Sequence, residues 1–478
     1  MEETQIANTA VESSSTVSDS YRGRHLWKEV RWYDGFILAL AVPIFLFPDL
    51  GSSAVALGVI GTVGIWLASV VMGALQSNLY AELALMFPSK AGSIPSYAHE
   101  AFKRWSNLPG AFVGWGYWLG WCVVLSINGL LVGDYLQANV FTSMDRVAFP
   151  KIVATVMLVM MLGIDVVGLR TGKFVRYALG LLTMVPILII MFGSYLTGHF
   201  SPAHFSPVGL PGNLGTWGAV SLVFYWMYIA GWSSYAFEAV ATHAPEYKNS
   251  LRDTPLALRS SALFSVVVYA LVPLGLIAAL GTAGIASDTL TPFDKALKAI
   301  LGSGAGTAIV FVVIAALILS AQMAAVASVR ALWQMSENGL TVTGFLRLNR
   351  WGEPDIAILF TYGFNILLVW TLGSPLWILA ASNVGYIGSH IIGLIGFMVL
   401  RRTQPNALRP INLGPAWFYI AGVLAVLNLS FVLIGAPQYG LQPLLAGLGT
   451  FAILAFGLYA FKKFIQPAPA ALEASQVQ

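Results

Sequence analysis

Glu238 and His243 close an apolar, aromatic-rich run, FYWMYIAGWSSYAFEAVATHAPEYKNSLRDTP, over residues 224–255. A carboxylate and an imidazole in such a run can each take up or release a proton, and an ionised carboxylate can hold an ammonium group. Ala230-Gly231-Trp232-Ser233-Ser234 interrupts the run just before Glu238. A membrane helix has no water to satisfy freed backbone groups, so a Gly/Ser interruption survives only against protein or a wet cavity. An ionisable residue beside the interruption marks a functional site, of the kind a transporter builds.

Burying Glu238 ionised costs a few kcal/mol unless it is paired, so a substrate amine or a coupling proton would account for it. The plain structural alternative is a hydrogen bond to the backbone of the first span. Asp49, just past the prolines of that span, either faces the same site or caps the half-helix that starts near Gly51-Ser52-Ser53, and the cap is slightly favoured. Ala41, Val42, Pro43 and Ile44, with Ser233, Ser234 and Ala236, are expected to line the site through backbone groups. Ser126, Asn128 and Gln322 are candidate polar contacts, with interhelical bonding at least as good an account. Asp134 and Asp165 sit near span ends, where water or Lys/Arg neighbours can satisfy them, and read as structural. His243 and His390 could relay protons, but a lone membrane histidine is more often a hydrogen-bonded packing residue.

The elements that must hold these residues follow from composition. The chain is 57% hydrophobic and only 10% charged, against about 25% charged in soluble domains, which makes it an integral membrane protein. Its 478 residues allow about twelve spans of roughly 20–25 residues. Fifteen Trp and eighteen Tyr suit interfacial belts and an aromatic-lined cavity. The net charge of +4 does not point to nucleic acid, and the single Cys122 cannot form an internal disulfide. No dinucleotide fingerprint, P-loop or zinc motif is present, so no cofactor or metal is expected.

Residues 1–25 read as a disordered cytoplasmic tail, and 466–478 as a short cytoplasmic tail. Spans are predicted near 33–57 (broken by Pro43, Pro48 and Gly51), 59–85, 108–138, 152–167 and 177–195. After a Pro/Gly-rich loop come the interrupted span already described, then 257–280, 307–335, 355–372 and 375–400. An external segment over 281–306 carries a short amphipathic piece, and two last spans lie near 415–435 and 440–463. Alternating from a cytoplasmic N-terminus, this count leaves only Arg146, Lys151, Lys295 and Lys298 of the 25 Lys and Arg outside. That asymmetry is what the positive-inside rule requires. Spans 1 and 6 are both broken and lie five apart, the pointer to an inverted repeat with its site at the midplane.

Four stretches carry a family resemblance. Tyr80-Ala81-Glu82-Leu83 through Phe87-Pro88 and Gly92 is one; Ala236-Phe237-Glu238 followed by Glu246, Lys248-Asn249, Arg252-Asp253 and Pro255 is another. Ser328 to Leu340, SVRALWQMSENGL, and the basic loop from Arg401-Arg402 to Arg409-Pro410 complete the set. Together and in order they resemble the amino acid–polyamine–organocation superfamily of secondary transporters, over nearly all of residues 30–410. The resemblance implies an all-α membrane protein with a LeuT-like 5+5 inverted repeat over 30–400 and peripheral helices 11 and 12 over 411–465. It also implies that Trp232 is an aromatic gate over the substrate, and that Glu82 and Arg330 lie near a cytoplasmic gate that a salt bridge closes.

The sequence also departs from that pattern. Ala41-Val42-Pro43-Ile44-Phe45 stands where the family has a glycine-rich turn whose amides bind a substrate carboxylate, and Pro43 removes one donor. Ala236 replaces a glycine, and Thr183 stands where some proton-coupled relatives have a lysine. The expected function is secondary-active transport of an amino acid or related organic amine by alternating access. Proton symport is preferred, exchange second and sodium third. A polyamine or alkylamine transporter is the near rival, and a non-transporting membrane receptor the distant one. The partners implied are the small-molecule substrate, H+ and the lipid bilayer. No nucleophile–base set or filter loop supports an enzyme or a channel.

Overall fold

A computed structural model describes residues 31–88, 93–168, 173–206, 210 and 214–465. Both predicted tails, Gly92 and the side chains of His243 and Glu246 lie outside the described residues. Every regular element among the described residues is helical. Eight helices among them are long and apolar enough to cross a membrane, with shorter apolar helices over Trp32–Leu46, Gly180–Leu196 and Asp355–Thr371. The protein is a multi-pass membrane protein.

The first span begins as α1 (Trp32–Ala39) and passes into a 3-10 turn, Val42–Leu46, before α2 (Leu50–Met86). Proline at 43 has no amide hydrogen to continue the α pattern. The chain tightens instead: the Ile44 amide donates to Ala41 O at 3.2 Å and the Phe47 amide to Ile44 O at 3.0 Å. Within α2, Gly58 takes φ +65° with ψ −170°, a backbone state open essentially to glycine only. It divides the second half of the first span from the second span. Helix α3 (Ile94–Phe102) then leads to α4 (Leu108–Cys122) and α5 (Val124–Asn139), which together form the third span. That span is the centre of the molecule: 89% of its most apolar window is buried, against 17% for Leu441–Phe464 at the periphery.

Helix α6 (Ala148–Val167) starts under Asp145, whose carboxylate accepts from the Val147 and Ala148 amides at 2.9 and 2.6 Å. Those bonds hold the Asp145 carboxyl below its usual range. Helix α7 (Lys173–Leu196) precedes α8 (Gly215–Ser234). The sixth span is broken later than the sequence suggests. Ala230 to Ser234 stay α-helical, the break falls at Tyr235, and Ala236–Glu246 continues as a 3-10 helix. Helix packing around Gly231 and hydrogen bonds from both serines satisfy that stretch, so the interruption moves to the next residue.

The remaining helices are α9 (Ser250–Ala286), α10 (Pro292–Leu301), α11 (Ser303–Glu337), α12 (Asp355–Thr371), α13 (Pro375–Thr403), α14 (Ala416–Ser430), α15 (Leu441–Ala452) and α16 (Leu458–Phe464). Helix α9 packs along α2, α13 along α4, and α11 along α5. Where α4 meets α13 the backbones touch: a side chain at Gly116 would strike Gly385 O and Ser389 Oγ. Small residues at such crossings let membrane helices approach closely.

Candidate functional site

The two breaks lie together and share one ligand for their backbone. Tyr269 of α9 places its hydroxyl 2.8 Å from Ser233 O and 3.3 Å from Val42 O. It thereby serves the carbonyls of both interrupted spans, which lipid could not do. Ser234 Oγ lies 2.6 Å from Ser69 Oγ of α2, and Ser233 Oγ donates to Asp49 Oδ2 at 3.2 Å. Asp49 occupies the first position before α2, but its carboxylate makes no capping bond. The favoured cap reading is corrected accordingly: the side chain turns to the other break.

Glu238 is buried, with 1% of its surface exposed. Ser93 Oγ donates to its Oε2 at 2.8 Å, and Tyr386 Oη to its Oε1 at 3.5 Å. Tyr117 and Trp121 border the same carboxyl. Tyr97 Oη, Tyr117 Oη and Trp121 Nε1 are further buried donors near it. Ser93 has φ +51°, the one positive value for a non-glycine among the described residues. Backbone strain of this kind, about 1–3 kcal/mol, persists where surrounding structure holds a functional geometry. No lysine or arginine pairs with Glu238 among the described residues. The carboxyl is surrounded by neutral donors and aromatic rings, which suits a group that exchanges partners.

Beside it lies a narrow cavity of only ≈ 10 Å³, bordered by Phe45, Trp121, Trp232, Ala236 and Tyr386, with Gly120 and Val124 behind. Phe45 and Trp232 meet edge to face at 5.4 Å, and Phe45 meets Trp121 at 6.0 Å. Trp232 Nε1 donates to Gly120 O at 3.0 Å, which fixes the indole against the third span. Its ring is buried and borders the cavity.

Next to Tyr386, His390 Nδ1 is 3.0 Å from both Tyr80 Oη and Gln76 Oε1, while Nε2 has no partner among the described residues. Its ring sits among Tyr235 and Tyr386 at 5.1 and 4.8 Å. It is hydrogen-bonded and packed, as the structural alternative anticipates.

Several expected contacts lie elsewhere. Asn128 Nδ2 donates to Leu317 O at 3.0 Å and to Ser320 Oγ at 3.2 Å, and Ser126 Oγ donates to Val123 O at 3.0 Å. Gln322 donates to Asp165, whose other oxygen accepts from Tyr362 Oη at 2.7 Å. These three polar residues bond helix to helix or to their own turn, and they do not border the cavity. Asp165 is held by neutral donors instead of Lys or Arg. Ala41, Val42, Pro43 and Ile44 are buried, but Phe45 is the residue of that turn that borders the cavity, because the 3-10 bonds and Tyr269 engage the turn's carbonyls. Thr183 is buried on α7, away from the cavity lining.

Glu82 is fully buried and bound to two arginines other than Arg330. Arg401 Nε reaches its Oε1 at 3.1 Å, Arg409 Nε lies at 3.2 Å, and the Leu413 amide donates to Oε2 at 2.9 Å. Arg330 is exposed on α11. Glu82 thereby ties the end of α2 to the α13–α14 connection.

Sequence reasoning missed Ser93, Tyr117, Trp121 and Tyr386. The i, i+4 spacing of Tyr117 and Trp121 in GWGYWLGWC was a usable signal, since it puts both rings on one face. Ser93 and Tyr386 arrive from distant parts of the chain and left none.

A family model described as amino acid permease matches residues 36–455. A polyamine transporter of Oryza sativa subsp. japonica is 27% identical over 423 residues, 84% of this chain and 75% of its own. A gamma-aminobutyric acid permease of Bacillus subtilis (strain 168) is 23% identical over 346 residues, 70% and 71% of the two chains. A lysine-specific permease of Lactococcus lactis subsp. cremoris is 23% identical over 360 residues, 71% and 68%.

Proposed function

The chain belongs to the amino acid permease family, a family of transporters and not of enzymes, and on that premise we propose that it moves amino acids or related organic amines by proton-coupled symport. Glu238 receives the substrate amine, Trp232 and Phe45 cover it, and Ser93 and Tyr386 hold the carboxylate in place. Helices 1–5 and 6–10 form an inverted 5+5 repeat, and the two broken spans rock against the third, fourth, eighth and ninth. Both chain ends face the cytoplasm of a cell membrane. The observation that carries this reading is a buried carboxylate without a cationic partner among the described residues, beside an aromatic cavity at two broken helices.

A second reading, in which the substrate is an amine without a carboxylate, draws on the first break. Pro43 offers no amide there, and the Ile44 and Phe47 amides already donate within the turn. A substrate carboxylate finds few free backbone donors at such a place.

The test is uptake by purified protein in liposomes with and without an inward proton gradient, using labelled gamma-aminobutyrate, lysine and 1,4-diaminobutane. Gradient-driven accumulation of an amino acid is expected, and Glu238→Gln should lower it at least about tenfold, the loss of one charge-assisted bond. Accumulation of the diamine alone selects the second reading. Binding without transport of any probe overturns both readings and leaves a receptor.

A further inference from the structure

A symporter carries its proton and its substrate in one loaded state. A carboxylate that holds an ammonium group is ionised at that moment, so Glu238 cannot also hold the coupling proton. On the proton-symport reading given above, we infer that Asp49 carries it.

Asp49 has no exposed surface. Its Oδ2 accepts from Ser233 Oγ, and its Oδ1 has no hydrogen-bond partner among the described residues. Other buried carboxylates among the described residues are engaged. Glu82 has Arg401 and Arg409, Asp294 has Lys298 at 2.9 Å, and Asp253 and Asp34 accept backbone amides at 3.2 and 2.6 Å. Asp49 and Glu238 thus form the pair of carboxylates at the breaks that lack a cation.

The groups facing Asp49 are neutral when protonated: Tyr225 from α8 and Tyr269 from α9 are its titratable neighbours. Helix α10 packs on this turn through Phe293, whose ring stacks on Phe47 at 3.8 Å, and the next residue, Asp294, is already held by Lys298. An ionised Asp49 in this setting has one hydroxyl donor and no counter-charge, a costly state that a proton on Oδ1 relieves.

The position suits the task. Asp49 stands on the second half of the first span, and Ser233 at the end of α8, so the Asp49–Ser233 bond joins the two spans that must move. When the site opens outward, hydronium gives its proton to Asp49 Oδ1 and becomes water. An O–H bond forms, and the charge that strengthened the bond from Ser233 disappears. When the site opens inward, water takes the proton back. No other bond changes.

Reconstituted liposomes containing a pH-sensitive dye test the assignment, with labelled gamma-aminobutyrate, lysine and 1,4-diaminobutane as probes. In Asp49→Asn, gradient-driven accumulation should fall to equilibration and probe-evoked acidification of the lumen should vanish. Counterflow exchange of the transported probe should persist and lose its pH dependence, because Asn fixes the neutral form. Asp49→Glu should keep both activities with a shifted pH midpoint. Acidification and accumulation intact in Asp49→Asn overturn the assignment alone. Counterflow lost in both variants also overturns it, since the side chain is then needed for the cycle itself. A wild-type protein that never acidifies the lumen overturns the symport reading together with the assignment, and the three failures are told apart by which traces persist and in which protein.

Discussion

At the scale of single residues, a few side chains substitute for the water that a broken membrane helix lacks. Tyr269 is the clearest, with one hydroxyl within reach of Val42 O and Ser233 O. Tyr269→Phe leaves those buried carbonyls short of a donor and is expected to lower stability by about 1–3 kcal/mol. A thermal melt of the detergent-purified variant reads this directly, and an unchanged melt would show that the carbonyls find other donors. Ser93 and Tyr386 do the same for Glu238, at the cost of a strained backbone at Ser93. Glu238 itself was legible in the sequence, because an acid in an apolar run is costly to bury and persists where it has a partner or a task. Its donors were not, since Ser93 and Tyr386 are 145 and 148 residues away along the chain.

At the scale of elements, the site depends on how closely α4 and α13 approach. Gly116 faces Gly385, and the rings of Tyr117 and Trp121 on α4 and Tyr386 on α13 converge on Glu238 from the two helices. Gly116→Ala forces the helices apart, costing about 1–3 kcal/mol of overpacking. It is expected to lower uptake more than Ala substitutions at lipid-facing positions of the same helices do, as read by initial rates in liposomes. Equal effects would mean that the α4–α13 distance does not set the site. The broken spans show where element boundaries escape a sequence reading. Pro43 marked the first break because proline chemistry is local. The second fell at Tyr235 and not within Ala230 to Ser234, because Asp49, Ser69 and Tyr269 satisfy the serines and the Ser233 carbonyl from other helices.

At the scale of the whole molecule, the protein is a bundle with a buried third span and lipid-facing final helices. The eleventh span, which contains α14, is less detached than peripheral placement implies. Asn428 on α14 accepts from Tyr235 Oη at the break, at 3.0 Å, and Glu82, Arg401, Arg409 and Leu413 tie the start of that region to α2. A buried glutamate with two arginines becomes strongly destabilising when one partner is removed, so this tie must move as a unit or break during a transport cycle. The proposed orientation puts Arg146 outside and Arg347 inside. In a Cys122→Ala background, Arg146→Cys should react with a membrane-impermeant maleimide on intact cells, and Arg347→Cys only after permeabilisation. The opposite pattern would reverse the orientation.

By itself the sequence determined the solvent, the class of fold, the approximate spans and the family, and it singled out Glu238. Each of these depends on composition, local propensity or short motifs, which are properties of contiguous residues. Tertiary structure alone decided what Asp49, Asn128, Gln322 and Glu82 touch, where the sixth span breaks, and which aromatic rings close on the cavity. Those outcomes depend on partners brought in from other helices, and a polar residue in a membrane protein takes whichever donor or acceptor the packing supplies.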